Sequence, residues 1–150
     1  SELDFASLTR AEFDTLLRAA MLHRFGFSLR LPELPADQLD SVRRHTRLYN
    51  DHLAEFVRDG VLHRLTAQPL RGGFGERAPA FQLSLGDRHV VAQFRLDGGA
   101  MPAAVRPVGL GAGADWRVTD LATGERVAFE GGIPIDDTVA SSWLFLVEPN

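Results

Sequence analysis

The sequence has no cysteine, no lysine and no long apolar run. Without cysteine there is no disulfide and no thiolate metal ligand, so the fold must rest on packing alone, and a cytoplasmic setting is expected. The absence of lysine leaves all 16 basic side chains as arginine, against 20 acidic ones, for a net charge of −4. Such a mildly acidic chain carries no basic footprint for nucleic acid, and we read the missing lysine as coding bias. No apolar stretch approaches the ~18 residues needed to cross a bilayer, and the N-terminus lacks the basic-then-apolar layout of a secretion signal. Neither nucleic acid nor a membrane is therefore an expected partner.

What is present is enough for one ordinary domain: a chain of 150 residues can bury roughly two-thirds of its unfolded surface. Thr9 followed by Glu12 is a capping-box pair. Phe13, Leu16, Leu17, Ala20 and Met21 then form an apolar stripe, which predicts a helix over Arg10 to His23. From Phe25 the period changes. Phe25, Phe27, Leu29 and Leu31 alternate with Gly26, Ser28 and Arg30, which predicts a strand with one buried face. A longer helix is expected between Pro35 and Gly60. Its buried stripe is Leu39, Val42, Thr46, Tyr49, Leu53 and Phe56; Arg43, Arg44, Arg47, Asp51, Glu55 and Arg58 take the solvent side, and Gly60 is expected to end it in the left-handed conformation.

After Gly60 every periodic run is a strand. Seven are predicted: Val61 to Leu65, Ala80 to Leu85, Val90 to Leu96, Ala104 to Leu110, Trp116 to Asp120, Arg126 to Phe129 and Ser142 to Val147. That spacing suits a sandwich. Phe81, Leu83 and Leu85 share one face of the hairpin that turns at Gly86-Asp87, but the alternation leaves open which face is inward. Thr66 to Arg77, with Pro69, Gly72, Gly73 and Gly75, is expected to be a loop. The expected class is α+β: N-terminal helices with one strand over residues 1–60, then an antiparallel all-β sandwich over residues 61–150.

No stretch announces a chemistry by itself. His23, His45, His52 and His63 could be proposed as metal ligands, but His45 and His52 stand seven apart rather than three or four, and no acidic residue completes the set; a solvated or capping role is the reading taken. Trp116, Trp143, Phe74 and Phe129 could offer a sugar-stacking platform. Trp116 and Trp143 lie in strand-like runs and read as core, so Phe74, in its glycine-rich loop, is the more telling aromatic. Phe74 and Trp143 are kept as candidate ligand or interface contacts. Gly72-Gly73-Phe74-Gly75 lacks the lysine and the following helix of a phosphate-binding loop. Asp136 and Asp137 are adjacent, so on an extended chain they point opposite ways and cannot face each other across a scissile bond.

Three stretches carry a resemblance. Arg18 to Met21 with Phe25 to Leu31, then Arg43 to Tyr49 running to Asp59 to Leu65, and more loosely Ala80 to Gln82, Val90 to Arg95, Leu110, Trp116 to Val118 and Gly131-Gly132, resemble the C-terminal region of the α-galactosidases of glycoside hydrolase family 36. The resemblance implies that residues 1–60 are the last strand and helix of a (β/α)₈ barrel and that residues 61–150 are a terminal β domain. It implies a retaining hydrolase of terminal α-galactosyl bonds in oligosaccharides, with no metal or organic cofactor. Retaining chemistry uses two carboxylates roughly 5–5.5 Å apart. In the family these lie on barrel strands upstream of the matched region, in a barrel of on the order of 250 residues. The expectation is therefore a non-catalytic C-terminal fragment that stabilises the barrel and supports subunit contacts, with the upstream barrel of the same polypeptide, a homo-oligomeric copy and an oligosaccharide as expected partners. The alternative is a self-standing carbohydrate-binding or oligomerisation β module.

Overall fold

The computed structural model describes residues 4–26, 31–69, 71–137 and 140–150. Helix α1 (Arg10–Ala20) begins on the capping box read from the sequence: the Thr9 hydroxyl accepts from the Glu12 amide at 3.2 Å, and the Glu12 carboxylate accepts from the Thr9 amide at 2.9 Å. Two donors that a helix start leaves orphaned are thereby satisfied. Phe13, Leu17 and Met21 form its buried side. Of the strand expected at Phe25 to Leu31, residues 27–30 lie outside the described residues; Phe25 and Gly26 have no regular structure, and Leu31 opens a short 3₁₀ turn, Leu31–Glu33.

The long helix is real but interrupted. It runs as α2 (Ala36–Leu48), a π-helical turn over Tyr49–Leu53, and α3 (Ala54–Asp59). Its buried residues are Gln38, Ser41, Val42 and His45, then Leu53 and Phe56. Leu39, Thr46 and Tyr49, expected inside, are half-buried. The difference arises because polar side chains occupy the inner stripe where partners await them: Gln38 Nε2 donates to Phe5 O, and His45 Nδ1 bonds Ser41 O at 2.8 Å. A hydrophobicity pattern cannot register a buried polar group that is hydrogen-bonded. Gly60 does end α3, but not in the left-handed form, since its φ is −86° and its ψ 178°. Glycine is needed there for space. A Cβ would stand 2.5 Å from Phe56 O and 2.8 Å from Ser84 O.

Eight strands follow: β1 (Val61–Arg64), β2 (Ala80–Leu85), β3 (Arg88–Phe94), β4 (Ala104–Val105), β5 (Trp116–Asp120), β6 (Arg126–Val127), β7 (Ile133–Pro134) and β8 (Ser142–Pro149). Six form one antiparallel sheet in the order β1-β2-β3-β8-β5-β6, and β4 pairs with β7 in a small second sheet. β7 had no counterpart among the expected strands, being two residues long with Pro134 in it. Within the expected loop, residues 71–77 are tighter than a plain loop. Arg71 and Phe74 exchange backbone hydrogen bonds of 2.7 and 3.1 Å around Gly72 and Gly73, whose φ values are +59° and +85°, the left-handed pair that a two-residue hairpin turn requires.

The six-stranded sheet is covered on both faces, which is why β3 is buried along nearly its whole length. Toward the helices point Leu83, Val90, Ala92, Phe94 and Leu144, packed on Met21, Leu22, Leu53 and Phe56. Toward the small sheet point Ala80, Val91, Val118, Trp143, Phe145 and Val147, packed on Val105, Ile133 and Ile135. Period-two alternation delivers both sets, and register Val91↔Phe145 aligns them across β3 and β8. Each large side chain so buried contributes about 1.5–3 kcal/mol. A third cluster, Phe13, Leu17 and Val42, fastens α1 to α2. The class is α+β, with helices on one face of an antiparallel sheet.

Candidate functional site

The polar core of the molecule lies where α1, α2 and β8 meet. α1 carries Arg18 to the end of β8, where its Nη1 donates to Ser142 O at 2.8 Å and to Ser142 Oγ at 3.1 Å. Its Nε donates to His45 Nε2 at 3.2 Å. Since that ring nitrogen accepts, the proton of a neutral imidazole must sit on Nδ1, which donates to Ser41 O; the network assigns the tautomer. Burial pushes the His45 pKa down, helped by the Arg18 and Arg44 charges and opposed by the Ser41 hydrogen bond and by Asp14. Burial also lowers the Arg18 pKa, against the pull of Asp14 and Asp120. Arginine starts so far above neutrality that it stays charged.

Beside this pair opens a cleft of about 230 Å³, lined by Arg18, Arg44, His45, Arg47, Leu48, Asp51, His52, Leu121 and Ala122. One helix stripe supplies most of it: positions 44, 47, 48, 51 and 52 are spaced three and four apart. The π-helical turn over Tyr49–Leu53 carries Asp51 and His52 into the wall. The turn after β5 closes the far side, its Asp120 carboxylate accepting from the Ala122 and Thr123 amides at 2.8 and 3.3 Å. Of these residues, only His45 and His52 stand out in the sequence as candidate ligands. The stripe's arginines read there as a solvated face, because Arg18, which turns the stripe into a cleft, comes from another helix.

The candidates named from sequence fall in different places. Phe74 is 84% exposed at the hairpin tip and belongs to no core cluster. Trp143 is 7% exposed in the core, with the Arg95 guanidinium 5.8 Å from its ring centroid. It also lines a cleft of about 310 Å³ with Asp120, Ile135 and Asp136. Asp137 pairs with Arg95. Trp116 is half-buried, its ring 5.9 Å from the His89 imidazole, and Phe129 packs against the same core as Trp143. The four histidines do not assemble: among the described residues no group of three or more His, Asp or Glu is placed to hold a metal ion.

A second polar network sits on the opposite face of the sheet. Gln82, fully buried, donates through Nε2 to Val108 O at 2.8 Å and accepts at Oε1 from the Val108 amide at 2.9 Å. The side-chain amide thus pairs with one residue of backbone as a neighbouring strand would. His89 Nδ1 lies 2.7 Å from Ser84 Oγ, and burial lowers its pKa, against Asp87 and aided by His63.

No family model matches the sequence, and no curated protein matches it closely enough to count. Solved structures do match. The glycoside hydrolase family 36 α-galactosidase AgaB from Geobacillus stearothermophilus superposes with a TM-score of 0.71 at 18% identity, over 100% of this chain and 20% of that one. A raffinose complex of a variant of AgaA from the same organism gives 0.69 at 19% identity, over 89% of this chain and 19% of that one. The galactosidase domain of the α-galactosidase-sucrose kinase AgaSK gives 0.59 at 19% identity, over 84% and 18%. The chain shares its fold with part of a family 36 α-galactosidase. It spans about a fifth of the length of the solved structures it matches. Within this family 36 fold, the Arg18–His45 pair joins the helical segment to the sheet. Among the described residues no helix is long and apolar enough to cross a membrane.

Proposed function

We propose that this chain is a non-catalytic, C-terminal portion of an α-galactosidase-like glycoside hydrolase. In this reading residues 1–60 are the end of a (β/α)₈ barrel supplied upstream in the same polypeptide, and residues 61–150 form the terminal β domain that steadies that barrel and supports subunit contacts. One observation carries it: near-complete coverage of this chain by a single fifth of the matched α-galactosidases, at a TM-score of 0.71. The placement of the helices supports it as well, since Met21, Leu22, Leu53 and Phe56 seal one sheet face and so tie the two segments into a common core. The reaction belongs to the longer enzyme: hydrolysis of terminal α-galactosyl groups by two carboxylates on other barrel strands. Incubating the purified chain with 4-nitrophenyl α-galactoside and with raffinose tests this. No release of nitrophenol or galactose above the blank is expected, and turnover by the chain alone would overturn the assignment.

A second reading, that the β part itself contacts an oligosaccharide, rests on the cleft in which Trp143 stands beside Asp120 and Asp136. Trp143 is 7% exposed there, so the contact would be carried by the flanking carboxylates, which can accept from sugar hydroxyls. Calorimetric titration with galactose separates the two. Binding that is weakened by Asp136→Asn supports the carbohydrate-contact reading, and the absence of heat removes it.

A further inference from the structure

We propose that the cleft between α2, the π-helical turn and the turn after β5 is a binding site for a small oxyanion of phosphate size. The charge balance of its lining is the first argument. Arg18, Arg44 and Arg47 line it with a single lining carboxylate, Asp51, and His52 as a further donor; outside the lining Asp40 pairs with Arg44, and Asp14 and Asp120 act on Arg18, so Arg47 is the lining guanidinium with no carboxylate bonded to it. A concave, partly desolvated site with an excess of guanidinium groups raises the local concentration of anions and holds their oxygens by charge-assisted hydrogen bonds.

The second argument is which donors remain available. Arg18 spends Nε on His45 and Nη1 on Ser142, which leaves Nη2. Arg44 spends Nε on Asp40 at 3.3 Å and Nη2 on Ser41 Oγ at 2.9 Å, which leaves Nη1. The side chains of Arg47 and His52 make no hydrogen bond or ion pair among the described residues, so the planar fork of Arg47 can engage two oxygens of one anion. His45 has no free nitrogen, because Nδ1 is bonded to Ser41 O and Nε2 receives Arg18. It is a positioning residue that holds the Arg18 guanidinium at the cleft wall.

The third argument is local backbone. A π-helical turn is rare and is found frequently at functional sites. Here it occupies Tyr49–Leu53 and supplies Asp51 and His52 to the wall. The volume of about 230 Å³ admits an oxyanion with its bridging waters and falls short of the several hundred Å³ typical of larger organic ligands. Leu48, Leu121 and Ala122 form the apolar side that reduces competition from solvent.

Thermal unfolding of the purified chain in sodium phosphate, against sodium chloride at matched ionic strength, tests the proposal, with ³¹P line broadening as a direct reading of binding. Phosphate is expected to raise the midpoint where chloride does not. Arg47→Glu, on an exposed side chain with no structural bond, is expected to weaken phosphate binding by at least roughly tenfold, the loss of one charge-assisted contact, while leaving the unliganded midpoint in place. His52→Ala is expected to weaken it less. Equal shifts in phosphate and chloride, an unchanged affinity in Arg47→Glu, or no broadening of the phosphate signal would each overturn the site; the last is also what a cleft reserved for an acidic side chain of another segment would give.

Discussion

Arg18 donates through Nε to Nε2 of His45 at 3.2 Å, and this one hydrogen bond makes the imidazole a neutral acceptor buried between two helices and a strand end. Protonating the ring would remove the acceptor and set two cations against each other. The consequence is a pH dependence with a definite sign. Burial lowers the folded pKa of His45, so below the ordinary histidine value of about 6.5 the unfolded chain binds more protons than the folded one. Stability is therefore full above about pH 6.5 and is lost as the pH falls through the depressed folded value. His89, also lowered by burial, adds a contribution of the same sign. Urea unfolding from pH 8 to pH 5 should show the decline, and His45→Gln should make it shallower; a stability that rises on acidification would contradict a buried neutral imidazole.

Gly60 tests whether space or conformation demands glycine. Its φ is within reach of any residue, but a Cβ would collide with the carbonyl oxygens of Phe56 and Ser84. Gly60→Ala should cost about 1–3 kcal/mol, the range for forcing atoms into a filled site. Equilibrium denaturation checks it, and a loss of a few tenths would mean that the junction of α3 and β1 gives way easily.

Gln82 holds Val108 by both its backbone N–H and its backbone C=O. Gln82→Ala leaves the part-buried Val108 amide and carbonyl without their partner, with an expected cost of about 0.5–1.5 kcal/mol for each hydrogen bond lost. Hydrogen exchange is the sharper readout: the Val108 amide should lose its protection while those in the middle of β3 keep theirs.

The two aromatic candidates should separate cleanly. Phe74→Ala, at a side chain 84% exposed, is expected to move stability by no more than about 0.5 kcal/mol. Trp143→Ala, in the core, should cost about 3–5 kcal/mol. If the Phe74 variant unfolds early, the hairpin tip is packed against something in solution. A sugar-binding defect in Trp143→Ala would need the folded fraction measured first.

Much of the molecule was written in local pattern. The capping box at Thr9 and Glu12, the bounds of α1 at its start, and β2 and β5 over their whole lengths follow from spacing alone, because each depends on side chains a few residues apart. The seven strands expected after Gly60 all appear, the others with shifted or shortened bounds, whereas the strand expected from Phe25 has no regular structure at Phe25 and Gly26. The likeness of the chain to family 36 α-galactosidases was likewise visible in short runs such as Arg43 to Tyr49, and the shared fold bears it out.

What tertiary structure decided is where distant segments meet. The order β3-β8-β5 places neighbours more than twenty residues apart in the chain side by side, and no alternation of residue types encodes which strand will be the partner. The inner stripe of the long helix went to Gln38, Ser41 and His45 because their partners, Phe5 O among them, arrive from elsewhere or from the helix backbone. The cleft arose in the same way, when Arg18 from one helix closed over the arginines of another. Periodicity records what a residue is and how far it stands from its chain neighbours; burial of a polar group is settled by a partner in space, and that information exists only once the chain has folded.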